Sequence, residues 1–532
     1  MAIHPKTYTF LCGCFAAFGS FTFGYDLGVI AGVLQSSDFL RITNLEGPDN
    51  ETSNYLGFIA SSMVLGAFVA CLPTSIIADK LSRRTAIVNS AIIFIFGAIL
   101  QAAAQNREMM MAGRFITGMG IGGLTMLAPL YQSEIAHPSM RGSLTTLQQL
   151  FLGIGAFIAS LSNYGLLVHH LGTPFQWRFA LALQIAPALP LITCMFFLPE
   201  SPRWLMLKGR KEEAQITLAR LHARNQVQHP FVLAQMIELE AAVKRDKEAE
   251  DKHGGWSSLW TNRQTFRKVL LGIILQFSVQ MTGVSAIQYF SPTIFKVFGF
   301  SVERSLLFNS IANVFALVGE FCAVLFVDKV GRRLPLISCN IGSGITFVIG
   351  TALMAIYPAT NANNNKSAAY AFVVMTWLFQ WFFSFGIGPL SWTYPVEIFS
   401  TGMRARGTAV TTMSSYISNF MIGQVSPIAF KNVGWRYYLL FAICGFTNAL
   451  TVYLLFPETK GRTLEEMDLY MQQMPWIVVG TSKAMEISAK EREIQLKRGI
   501  VHDGVGGEGA FEQVHTLQIK QQDIEDPSIE KK

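Results

Sequence analysis

Two ionisable side chains lie inside long apolar stretches: Asp26, in Phe23-Gly24-Tyr25-Asp26-x-Gly28, and Arg114, beside Gly113. At membrane depth such a group costs at least about 2.5–3.5 kcal/mol, so each must face a cavity or a partner. A neighbouring guanidinium favours an ionised carboxylate and desolvation disfavours it. A movement that changes their separation would therefore load and release a proton. Amides form a second set. Gln276 and Gln280 stand four residues apart and share one helical face. Beyond them Gly283 and Pro292 loosen the helix, and Tyr289-Phe290 offers an aromatic gate. Gln149 and Asn419 lie in other apolar segments, and Trp392 follows Gly386-Ile-Gly388-Pro389. Paired donors and acceptors around a flat apolar face suit a polyhydroxylated molecule.

The elements that position these groups follow from composition. The 532 residues are 51% hydrophobic and only 14% charged, against roughly a quarter charged in soluble proteins. Such a surplus needs a face other than water. Crossing the hydrocarbon takes about 20 apolar residues. Twelve segments qualify: 10–33, 56–77, 86–105, 109–131, 144–168, 178–198, 269–291, 307–327, 334–357, 369–395, 408–430 and 437–456. In lipid the backbone must satisfy itself, so the fold class is an all-α membrane protein of twelve transmembrane helices. The net charge, 42 − 35 = +7, is scattered or sits at segment edges, which excludes nucleic acid as a partner. The cysteines at 12, 14, 71, 194, 322, 339 and 444 fall in apolar segments with no metal spacing. Nothing pairs a nucleophile with a base, so no enzyme, metal or cofactor is expected.

Clustered Lys80, Arg83, Arg84, Lys329, Arg332, Arg333, Arg404 and Arg406 mark one side as cytoplasmic. Both termini then lie in the cytoplasm. The sequons at Asn50 and Asn365 fall in loops on the other side, where glycosylation can occur. A polar stretch divides the segments six and six, giving an N-terminal bundle 1–198, linker helices 199–267, a C-terminal bundle 268–456 and a tail 457–532. Thr463-Leu-Glu-Glu466 reads as a capping box, and the tail beyond about 480 as disordered. The halves repeat one another. Asp79…Arg83-Arg84 matches Asp328…Arg332-Arg333, Glu134…Arg141 matches Glu397…Arg404, and Pro199-Glu200 matches Pro457-Glu458. Such duplication is the mark of a secondary transporter with its site near the bilayer midplane. Charged residues of these repeats, with Arg203, can pair when one end closes and part when it opens, forming a latch. The glycines 118, 120, 122 and 123 follow no strand, so they serve close helix packing rather than a dinucleotide.

Phe23–Gly28, Gly113-Arg114 with Gly118 and Gly120, and Pro199-Glu-Ser-Pro-Arg-Trp-Leu205 resemble the signatures of one family. So do Gly331-Arg-Arg333, Pro395-x-Glu397-Ile-Phe399 and Pro457-Glu-Thr-Lys-Gly461. The chain resembles the sugar porters of the major facilitator superfamily, particularly fungal members, from about residue 10 to 470. The resemblance implies the major facilitator fold, two pseudo-symmetric six-helix bundles. It also implies Asp26 as proton site tuned by Arg114, and a sugar or polyol bound by Gln149, Gln276, Gln280, Ser285, Tyr289, Trp392, Tyr416 and Asn419. The expected function is import by alternating access as a proton symporter, by a monomer in the plasma membrane. An uncoupled carrier, a quinate-type transporter and a non-transporting sensor are the alternatives.

The pocket departs from the hexose pattern of that family. A paired Gln-Gln is Val279-Gln280, an Asn is Ser285, an Asn-Trp is Ser415-Tyr416, and a span-ten acid is Ser384. Lost arms leave groups unpaired and change which substrate is accepted, so a pentose, polyol, disaccharide or quinate stays open. In the first repeat Ser82 replaces the Gly that would allow a positive-φ turn, and a looser latch is expected there.

Overall fold

The structure is a computed structural model describing residues 4–47, 49–136, 141–253, 255–357, 366–399, 403–460, 467, 470–471 and 475–478. Asn365, the Thr463–Glu466 box and the tail from residue 479 lie outside these residues, as do the side chains of Asp79, Arg141 and Asp328.

The described residues are almost wholly helical. Spans one to six are Pro5–Val33, Asn50–Lys80, Arg83–Ala102, Arg107–Ile135, Arg141–His170, and Pro174–Leu183 continued by Ala188–Phe197. Span seven is Arg263–Gln280 followed by Val284–Val297, span eight Val302–Val330 and span nine Arg333–Ile356. Span ten runs from Lys366 through a π-helical turn, Phe383–Ile387, to Ile398. Spans eleven and twelve are Arg404–Asn432 and Arg436–Leu455. Between the halves lie Pro202–Leu207, Lys211–His222 and Pro230–His253.

Ten of these spans are long and apolar enough to cross a membrane by length and composition. Spans four and eleven, 29 residues each, are long enough but less apolar. For span four its position explains the difference. Span four packs against spans one, two and three, and span eleven against spans two and seven. Span four carries no large exposed apolar side chain among the described residues, whereas spans three, six, nine and twelve carry many, including Phe96, Phe197, Ile345 and Ile443. A helix hidden from lipid has no need of bulky hydrophobes on every face.

The packing is duplicated. Span one lies on five and seven on eleven; span two on four and eight on ten; span three on six and nine on twelve. The halves meet where span two touches eleven and span five touches eight. At the end opposite the termini they are tied by Gln35 Nε2 donating to Thr293 Oγ1 at 2.9 Å, and by Lys431 Nζ donating to Asn50 Oδ1 at 2.7 Å.

The glycine run of span four allows main chains to touch. Gly118 and Gly122 back onto Met63 and Ala67 of span two, while Gly120 and Gly123 back onto Phe94 and Ser90 of span three. A Cβ at Gly118 would collide with the Met63 carbonyl, a backbone atom that cannot swing aside. Gly118→Val should therefore destabilise the first half by about 1–3 kcal/mol or more, read as a lowered melting temperature in detergent.

Candidate functional site

Span one brings Asp26 and span four brings Arg114 to the same depth, and both side chains are fully buried. Arg114 Nη1 donates to Asp26 Oδ1 at 3.4 Å and Nη2 to the Ala60 carbonyl at 3.2 Å. Asp26 Oδ2 and Arg114 Nε have no hydrogen-bond partner among the described residues. One carboxylate oxygen is thus held by charge and the other is spare.

Span seven breaks where its sequence loosens it. Gly283 takes φ +84, a left-handed conformation that glycine adopts without strain, while Pro292 sits inside the second helical piece rather than breaking it. The break places Ser285 so that its Oγ donates to Gln280 Oε1 at 2.6 Å, while Gln280 Nε2 reaches Ser415 Oγ at 3.4 Å. Gln276 Nε2 donates to the Ser391 carbonyl at 2.9 Å, one residue before Trp392, and Gln276 Oε1 is spare. Trp392 is half-buried. Tyr289 is buried and donates to Asn419 Oδ1 at 3.0 Å. Tyr416 pairs with Thr125 Oγ1 at 2.6 Å, joining span eleven to span four across the halves. Gln149, on span five, faces Gly388 at the π-turn of span ten. The structure thus gathers polar groups from spans five, seven, ten and eleven around the interface between the halves.

A family model described as "Sugar (and other) transporter" matches residues 12–470. The chain belongs to the sugar transporter family. It is 34% identical over 465 residues to "MFS-type transporter oryC" of Aspergillus oryzae, covering 86% of this chain and 84% of the relative. It is 31% identical over 516 residues to "High-affinity glucose transporter 1" of Candida albicans, covering 94% and 92%. Among solved structures it is similar to the proton:xylose symporter XylE bound to 6-bromo-6-deoxy-D-glucose, with a TM-score of 0.75 at 23% identity, covering 88% of this chain and 99% of that one. That likeness establishes the twelve-helix major facilitator fold. Sugar transporters are multi-pass membrane proteins and not enzymes, and so is this one.

In this sugar transporter the repeated charged motifs pair within each half. Arg83 meets Glu134, with Nε at 3.3 Å from Oε2, and Arg332 meets Glu397, with Nη2 at 2.8 Å from Oε1. Glu458 accepts the main-chain N–H groups of Arg332, Arg333, Thr459 and Lys460. Glu200 takes the equivalent place after span six, accepting from Ser201 N at 3.0 Å, and Arg84 reaches the Phe196 carbonyl. Arg333 reaches the Tyr453 and Val478 carbonyls. Arg203 and Arg404 are half-buried. The described pairs therefore staple helices of one half to each other, giving each half a rigid end. Glu458→Ala would leave four N–H groups without this acceptor. It should lower the melting temperature and slow uptake, since a typical intramolecular hydrogen bond contributes about 0.5–1.5 kcal/mol net.

Ser82 corrects the expectation of a loose turn. It is extended, with φ 173, and its Oγ caps span three by accepting from Thr85 N at 3.1 Å. Its counterpart Gly331 has φ +97 and packs so closely on Glu458 that a Cβ would lie 2.7 Å from Oε2. The two repeats close the same turn by different means. The sequon residue Asn50 opens span two, and its Thr52 hydroxyl is held by Asp49 Oδ1 at 2.7 Å. That bond is the main reason the exposed Asp49 carboxyl lies below the usual range.

One residue of the site escaped sequence reasoning. Glu320 of span eight is buried, 3% exposed, and faces Gly153 and Gln149 of span five. The signal was available, an acid inside the apolar run Phe315–Val327, but no motif drew attention to it.

Proposed function

We propose that this sugar transporter imports a sugar or related polyol by alternating access, driven by a co-transported proton. The observation that carries the reading is the sealed Asp26–Arg114 pair with one spare carboxylate oxygen. Rocking of the halves changes the hydration of the pair, and with it the affinity for a proton. Substrate binds among Gln149, Gln276, Gln280, Asn419 and Trp392, where amides meet hydroxyls and the indole supports a ring. Ser285 orients Gln280, and Tyr416 is held by Thr125 of the other half.

The clustered cations around Arg83 and Arg332 support placing both termini in the cytoplasm, with the plasma membrane as the location. Val279, Ser285, Ser384, Ser415 and Tyr416 stand where the hexose pattern has other arms, so the substrate is chosen by experiment from a wide panel. Purified protein in liposomes is tested with hexoses, pentoses, polyols, disaccharides and quinate, with and without an inward proton gradient. Accumulation of one compound only with the gradient supports the reading. Gradient-independent equilibration overturns the coupling, and no uptake of any member overturns import of this substrate class.

A further inference from the structure

Asp26 has a cation; among the described residues Glu320 has none. Its one recorded polar neighbour is the Gln149 amide of span five, and its Oε2 has no hydrogen-bond partner among the described residues. Among those residues no charged and no other titratable side chain interacts with it. Span five faces it with Gln149 and Gly153, and span ten presents Trp381, Ser384 and Phe385 to the adjoining Gly319. The approach is close, because a Cβ on Gly153 would lie 1.9 Å from Glu320 Oε2.

A bare carboxylate in apolar surroundings is strongly disfavoured, and binding a proton removes that cost. Glu320 lies on the seam where span five meets span eight, one of the contacts that must shift when the halves rock. It is 320 − 302 = 18 residues from the start of span eight and 330 − 320 = 10 from its end. At about 1.5 Å per residue it is nearer the end that carries the chain termini.

We propose that Glu320 is a second proton-exchanging carboxyl, placed at the seam between the halves and linked to the substrate site through Gln149. With the seam closed, the carboxylic acid donates to the Gln149 carbonyl oxygen. When the seam opens toward the termini, water reaches the slot. The Oε–H bond then breaks, the proton passes to water, and the carboxylate accepts from the Gln149 NH2 instead. An amide serves both states because it carries both an acceptor and donors. A substrate hydroxyl that engages Gln149 competes with Glu320 for it, so substrate and proton meet at one side chain. The assignment rests on the symport reading for its role but is tested without substrate.

The test is infrared difference spectroscopy of the full chain in liposomes across a pH titration. Wild type should show a carboxylic C=O band that disappears on deprotonation. Glu320→Gln should lose it, Asp26→Asn should keep it, and Gln149→Leu should move its frequency or midpoint by removing its polar neighbour. Glu320→Asp, which retains a carboxyl, should keep a displaced band and guards against a folding failure of the Gln variant. A wild-type band unchanged in Glu320→Gln overturns the proposal, and one unmoved in Gln149→Leu overturns the link. Wild-type uptake indifferent to a proton gradient would sink symport while leaving the Glu320 band. Loss of the Glu320 assignment would leave coupling through Asp26 standing.

Discussion

Asp26→Asn should abolish accumulation of substrate against its gradient while sparing exchange of labelled for unlabelled substrate. Among the described residues the carboxylate is the only anionic partner of the fully buried Arg114. An amide keeps the shape but binds no proton at neutral pH, so a proton gradient has nothing to act on. Exchange needs only the return of the loaded carrier and does not require proton release. The same change leaves Arg114 with only a neutral amide and the Ala60 carbonyl as described partners. Breaking a buried pair costs about 3–5 kcal/mol when one partner is removed, so a large fall in melting temperature should accompany the lost accumulation. Arg114→Leu in the same chain should recover part of that stability by removing the unpaired charge. Uptake still driven by pH in Asp26→Asn would remove Asp26 from the coupling.

Gln280→Ala should weaken substrate binding by at least about tenfold, equivalent to about 1.4 kcal/mol. Gln280 is the hub of the span-seven network, accepting from Ser285 and donating to Ser415. Its loss removes a hydroxyl-binding arm and strands two hydroxyls that had been paired, each costing about 1–3 kcal/mol if left buried. The expected pattern is a raised half-saturation concentration for the best compound of the liposome panel, with the maximal rate less affected. Wild-type affinity in Gln280→Ala would place the substrate elsewhere.

The twelve helices were legible because lipid leaves a chain few options: runs such as Ala91–Ala104 are apolar nearly all round, and the backbone within them must bond to itself. Span four is less apolar because its packing against spans one, two and three shields it, which removes the need for uniform hydrophobicity. Asp26 and Arg114 announced themselves by charge in apolar surroundings. Glu320 carried the same signal, and only motif-led reading passed over it. What Tyr289 and Tyr416 do was not legible, because their partners Asn419 and Thr125 lie 130 and 291 residues away. Ser82 showed the converse, a departure from pattern that the structure satisfies by capping.

By itself the sequence determined that this protein lives in a membrane, that its halves are duplicates, and which few polar groups lie at depth. Those properties depend on composition and spacing, which every residue carries with it wherever the chain folds. Only the tertiary structure decided which of those groups meet. It set Arg114 against Asp26 and left Glu320 facing Gly153 and an amide. It also kept the described charged pairs within each half. Pairing energies fall off over a few ångströms, and distances that short between distant residues are set by helix packing rather than by order along the chain.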